Sequence, residues 1–276
     1  MSQALKIKDS PAAEIFPALR VELLKVRRSK TLWITALAFA LLIFIGGLFM
    51  FILKDPERAR SLGLLGAKAE LFGGSADWPS FISLMLLLTG VGGLVIFGFI
   101  YIWEFGREFG DKTVYDMLAL PTSRLTIVAA KITTAACWSL ALVLLAFFLM
   151  LGVGAALQLP GGSAAIVLNG FKNILVTGSL TVLLCITFGL IASFTRGYLP
   201  AVGGIFLVLL LGEVISRLGY GQFFPWTVPM LYSGAAEALT GATATPLKPV
   251  SYILVAAVGV LSVVFSGLWW RSADQT

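Results

Sequence analysis

The densest group of chemistry-capable side chains lies in residues 103–124, where Glu104, Glu108, Asp111 and Asp116 alternate with Arg107, Lys112 and Arg124. Four carboxylates could serve acid–base or metal chemistry, but each has a basic or aromatic neighbour. That mixture suits a charged surface with apolar anchors, presented to a soluble partner; a solvated surface loop is the plain alternative. The stretch is far longer than the roughly four residues a connector needs. Val114, Met117 and Leu118 form a small apolar face and Pro121 closes the unit, predicting a short helix along a membrane surface.

Other chemistry is thin. Residues 106–113 imitate a phosphate-binding loop, Gly106-Arg107-Glu108-Phe109-Gly110-Asp111-Lys112-Thr113. An inserted Asp, the wrong glycine spacing and a preceding membrane helix rather than a strand reject the match. With 0 histidines, His-based triads, H-E-x-x-H metal sites and His-dependent proton relays are excluded. Cys137 and Cys185 sit in apolar runs without metal-ligand spacing and read as small packing residues. Glu213 is the one acidic residue well inside a predicted span, with Arg217 four residues on and within helical reach. They read either as a self-neutralising pair near the outer interface or as part of a solute path, since intramembrane charge is functional by default. Lys131 and Lys172 fall near span ends, where they can snorkel.

The elements that must position these groups are membrane helices. The 276 residues are 58% hydrophobic and 12% charged, about half the charge of a soluble domain, with a mean hydropathy of +0.95. Roughly 20 apolar residues cross a bilayer as a helix, and six such spans are predicted at 31–53, 79–103, 125–157, 171–194, 198–218 and 249–270. Trp33, Trp78, Trp103, Trp269 and Trp270 fall at their ends, where indoles prefer the interface. No segment alternates as a membrane barrel strand would. Glycine clusters (Gly46-Gly47, Gly90 to Gly93, Gly152 to Gly154, Gly203-Gly204) permit close helix contact.

Six crossings put both termini on one side, and thirteen of the 20 Lys and Arg residues fall there. The positive-inside rule makes that side cytoplasmic. The net charge of +6 is thus explained by membrane-flanking segments rather than by a nucleic-acid stripe. Residues 1–15 read as a mobile tail and 271–276 as a short cytoplasmic one. Residues 16–30 place Phe16, Leu19, Leu23 and Val26 at helical spacing, with Arg20, Glu22, Lys25, Arg27 and Arg28 on other faces: an amphipathic helix for the headgroup layer. The charged start and long first span do not fit a cleaved signal. Of the outer loops, 54–78 predicts an interfacial helix (Leu62, Leu65, Ala69, Phe72). The other, 219–248, is aromatic and broken by Pro225 and Pro229, predicting re-entrant half-helices.

Three passages together resemble the second class of bacterial ABC exporter permeases (ABC type-2), which includes bacitracin and lantibiotic, drug and ion efflux systems. They are Leu24-Lys25-Val26-Arg27-Arg28-Ser29-Lys30, the run from Phe105 to Thr113, and Leu118-Ala119-Leu120-Pro121-Thr122-Ser123-Arg124, with weaker similarity at Ser193-Phe194-Thr195-Arg196. The resemblance covers nearly the whole chain in size and layout. It implies that the 103–124 connection is a coupling helix docked on an ABC ATP-binding subunit. Glu108, Gly110 and Thr113 match the contact zone, with Glu104, Arg107, Asp111 and Lys112 beside them; relatives often carry arginine where Asp111 or Lys112 stands. It further implies that 16–30 is an elbow helix, that 219–248 is an outer re-entrant hairpin, and that the location is a bacterial plasma membrane. ATP and Mg would then be bound by the partner subunit, in two copies, with no cofactor here and a second permease copy or a homologous permease alongside. An exporter subunit is therefore expected. An ATP-independent carrier or channel predicts buried ion ligands and broken spans, and an intramembrane enzyme predicts a polar cluster at span depth.

Overall fold

The computed structural model describes residues 11–55, 61, 75–114, 122–232, 234 and 247–272, and among them the regular structure is helical throughout. The predicted interfacial helix around Leu62 to Phe72, the surface-helix residues Met117, Leu118 and Pro121, and Asp116 lie outside the described residues.

Among the described residues, six helices are long and apolar enough to cross a membrane. After α1 (Pro11–Arg28) come α2 (Thr31–Lys54), then α3 (Trp78–Leu87) and α4 (Gly93–Gly110), joined by a π-helical turn at Leu88–Gly92 into one continuous crossing. Then follow α5 (Arg124–Ala156), α6 (Ala164–Phe194) and α7 (Leu199–Arg217), a short α8 (Val228–Tyr232) and α9 (Pro249–Ser272). Helix α1 starts at Pro11, inside the stretch expected to be a tail. Helix α6 begins at Ala164, ahead of the expected 171. The second crossing runs past Trp103 to Gly110, so the first third of the predicted surface connection is helix continuous with the membrane span.

Helices α4 and α6 form the centre and make the most extensive helix pair. Their approach depends on small residues. A Cβ on Gly189 of α6 would stand 2.8 Å from the Phe105 ring of α4, so only glycine lets that ring lie flat on the facing backbone. Phe97, Tyr101, Ile102 and Phe105 of α4 are consequently buried completely. Helices α2, α7 and α9 are peripheral and keep apolar faces outward, including Leu37, Phe44, Leu210 and Val264, as lipid contact requires.

Two ends are tied differently. At one, the Lys54 ammonium donates to the Leu157 and Gln158 carbonyls closing α5, and the Trp78 amide donates to Pro160 O. At the other, α1, the end of α4, the start of α5 and the ends of α6 and α9 converge. There the Trp270 indole donates to Ser193 Oγ at 3.1 Å, its ring packs on Phe105 and Phe109, and Arg124 Nη1 donates to Trp270 O. The expected re-entrant segment is described at 219–232, 234 and 247–248. It forms two 3-10 turns (Gly221–Phe223, Pro225–Thr227) and α8. These turns fold against α7 and α9, and α8 against α6. The Thr227 hydroxyl ties the turns together by donating to Gly221 O and Phe224 O.

Candidate functional site

The converging end holds six ionisable side chains from three helices: Glu22 and Lys25 of α1, Glu104, Arg107 and Glu108 of α4, and Lys131 of α5. Lys131 has no exposed surface. It does not snorkel, as its sequence position allowed, but donates to Glu108 Oε1 at 2.9 Å and to Glu104 O at 3.0 Å, with Glu22 Oε1 at 3.5 Å and Glu104 Oε1 at 3.9 Å. Lys25 Nζ bridges Glu22 Oε1 at 3.0 Å and Glu108 Oε1 at 2.9 Å. Arg107 lies over the Trp103 ring at 4.6 Å, with Nη2 3.7 Å from Glu22 and Nε 3.5 Å from Glu108.

Helical geometry explains the assembly. Glu104, Arg107 and Glu108 occupy i, i+3 and i+4 of α4 and so share one face. Glu22 and Lys25, three apart, do the same on α1. Three carboxylates meet three cations, so the group is neutral in formal charge. That balance makes burial tolerable, because an unpaired buried charge costs several kcal/mol. Burial by itself would raise the Glu22 carboxyl, but Lys131 and Lys25 beside it outweigh that and hold it below the ordinary value of 4.5.

Glu108 is the hub. Its Oε1 accepts from Lys25 and Lys131, and its Oε2 accepts from the Thr113 hydroxyl at 2.6 Å. One carboxylate therefore joins α1, α5 and the turn that closes α4. That turn is a Schellman cap: Thr113 N donates to Glu108 O and Lys112 N to Phe109 O. Its left-handed position, usually glycine, is Lys112 at φ 58°. A cation there complements the negative end of the helix dipole. Tyr198, just before α7, covers the same end; a Cβ on Gly106 would meet its ring at 2.9 Å and one on Gly110 at 3.2 Å.

The residues singled out by sequence thus divide. Glu104 and Glu108 are buried and face inward, so neither carboxylate is presented to a partner. Arg107 is mostly covered, Thr113 is half-buried, and Gly110, Asp111 and Lys112 are exposed in the turn. Glu213 and Arg217 stand apart from this group. Their side chains pair at 2.6 Å and are 59% and 79% exposed, and Glu213 also lines a cavity beside Trp226 and Met230. Glu22, Lys25 and Lys131 were not recognised from sequence as site residues. Lys131 carried a usable signal, since a lysine seven residues inside a span needs a partner.

The chain matches the family model described as ABC-2 family transporter protein over residues 18–213. It is also similar to the bacitracin transport permease protein BCRB of Bacillus licheniformis, with 26% identity over 192 residues covering 69% of this chain and 88% of the relative. All six members of the ionic group fall within the family match.

Proposed function

The chain belongs to the ABC-2 family of transporter proteins and is the membrane permease subunit of an ATP-binding-cassette exporter; from that premise we propose that its buried ionic group is the joint through which a separate ATPase moves the helices. The observation that carries this reading is Glu108, one carboxylate gripping two helices besides its own and the exposed turn. In this reading the end holding the joint is cytoplasmic, in keeping with the bias of positive charge. Helix α1 is an elbow lying in the headgroup layer, and the 219–248 segment is an outer re-entrant hairpin. The membrane is the bacterial plasma membrane. Two ATP-binding subunits, carrying ATP and Mg, dock on two permease copies, or on this chain and a homologous permease. A hydrophobic or amphiphilic solute leaves between the halves.

Docking falls to Asp111 and Lys112, with Thr113 and Gly110 shaping the turn. Glu104, Arg107 and Glu108 transmit rather than touch. When nucleotide closes the ATPase pair, the turn is displaced. Because α4 is helical from Gly93 to Gly110, the push travels along its axis, and the shared carboxylate carries α1 and α5 with it. Such a push shifts the equilibrium only by the difference in contact energy between the two arrangements. A Lys112→Cys variant, purified with its ATP-binding subunit, is expected to cross-link to that subunit, and Asp111→Lys is expected to lower co-purification. If the cysteine captures nothing and the charge reversal leaves the complex intact, the turn is not the dock.

A further inference from the structure

At the same end, the last turns of α6 and α9 enclose an open apolar groove of about 480 Å³. Leu190, Ile191 and Phe194 form one wall, and Phe265, Leu268 and Trp269 form the other. Its size lies in the roughly 300–1,000 Å³ range of ligand sites. Phe194, Phe265 and Leu268 remain more than half exposed, so in a bilayer this wall faces acyl chains.

Two polar features make the groove more than a lipid-facing furrow. The first is the Trp269 indole N–H, which is buried and has no hydrogen-bond partner among the described residues. Its neighbour Trp270, by contrast, donates to Ser193. A buried donor without an acceptor is costly. The Trp269 ring is held by Phe194 at a centroid distance of 4.7 Å, which fixes where that donor sits. The second feature is cationic. Exposed Arg196 lies two residues beyond Phe194, in the turn closing α6, and exposed Arg271 lies two residues beyond Trp269, at the end of α9. Contact between Phe194 and Trp269 brings these two helix ends together.

We propose that this groove is a binding site for an anionic glycerophospholipid of the leaflet on the ionic-group side. An acyl chain fills the apolar slot, the phosphate or glycerol oxygens accept from Trp269, and Arg196 and Arg271 favour a net negative headgroup. The site joins the ends of α6 and α9 beside the joint, and it is independent of how the ATPase docks.

Quenching of tryptophan fluorescence by brominated lipids tests it on the full-length chain in detergent. Brominated phosphatidylglycerol is expected to bind at least about five-fold more tightly than brominated phosphatidylcholine, the gain one arginine gives near an anionic surface. Arg196→Gln with Arg271→Gln should abolish that preference, while Arg20→Gln with Arg27→Gln on α1 should leave it in place. Equal affinity for both lipids in the native chain overturns the proposal, and so does loss of preference to the same extent in the two double variants. Should the groove variant fail to fold, Trp269→Phe keeps both arginines and decides the matter. The phosphatidylglycerol-specific part of the quenching must fall in that variant, and its persistence contradicts the site.

Discussion

A single ammonium, that of Lys131, stands against three carboxylates in a place without exposed surface. Replacing it with an isosteric apolar residue removes the charge that offsets Glu22, Glu104 and Glu108 while leaving them buried. Breaking a buried pair in this way costs about 3–5 kcal/mol, so Lys131→Met is expected to lower the thermal midpoint of the purified chain clearly, by more than Arg217→Met at the exposed Glu213 pair. The acid response follows from Glu22. Its folded value lies below 4.5, so its contribution is complete above 4.5 and is lost as the pH falls through the lower folded value. The groups facing it are Lys25, Glu104, Arg107, Glu108 and Lys131. A spin label at the exposed Arg28 should gain mobility as the pH drops below 4.5, less so in Glu22→Gln, as α1 loosens from α5. Equal acid sensitivity in both chains would assign the effect elsewhere. In the helix, Glu104, Arg107 and Glu108 share a face, but no sequence signal showed that this face points inward, because that depends on Lys131 and Lys25 arriving from other helices. On α1, Phe16, Leu23 and Leu24 are exposed, whereas Glu22 and Val26 are buried; that its protein neighbour would be a salt-bridge partner was not legible in the spacing.

The helices are packed as connected rods. Phe105 lies on Gly189 and Tyr198 on Gly106, so α4 is gripped by α6 along its last turns and capped from the start of α7. Gly189→Val would push a branched side chain into the Phe105 ring and separate α4 from α6. Overpacking of this kind costs about 1–3 kcal/mol, and the drop in thermal midpoint should be partly recovered by adding Phe105→Leu, which vacates the space. No recovery would mean that the contact is not what requires glycine. The six spans were legible because about 20 apolar residues in a row has few other meanings, and the tryptophans helped to place their ends. The extension of α4 to Gly110 was not legible. Charged residues after Trp103 mark the loss of lipid, yet the helix continues because its backbone hydrogen bonds need no lipid and its side chains find partners in α1 and α5. The π-turn at Leu88–Gly92 was equally hidden, since hydropathy is blind to backbone register.

Across the molecule, the proposed function makes a lever of one helix and its two attached neighbours, linked by the ionic group and the exposed turn. The family fixes the activity class; under the proposed function, packing separates the exposed residues that would dock from the buried ones that would transmit. The most direct test compares motion at the turn with motion in the membrane. Spin labels at Asp111 and at the half-exposed Leu144 of α5, introduced singly after Cys137→Ser, would report distances between permease copies in the complex, with and without ATP bound to a hydrolysis-deficient ATPase. In the otherwise native chain both distances should change on ATP binding. With Glu108→Gln and Lys131→Met together, the label at 111 should still move while that at 144 stays still. If ATP shifts position 144 equally with and without those charges, the buried ionic joint does not carry the motion.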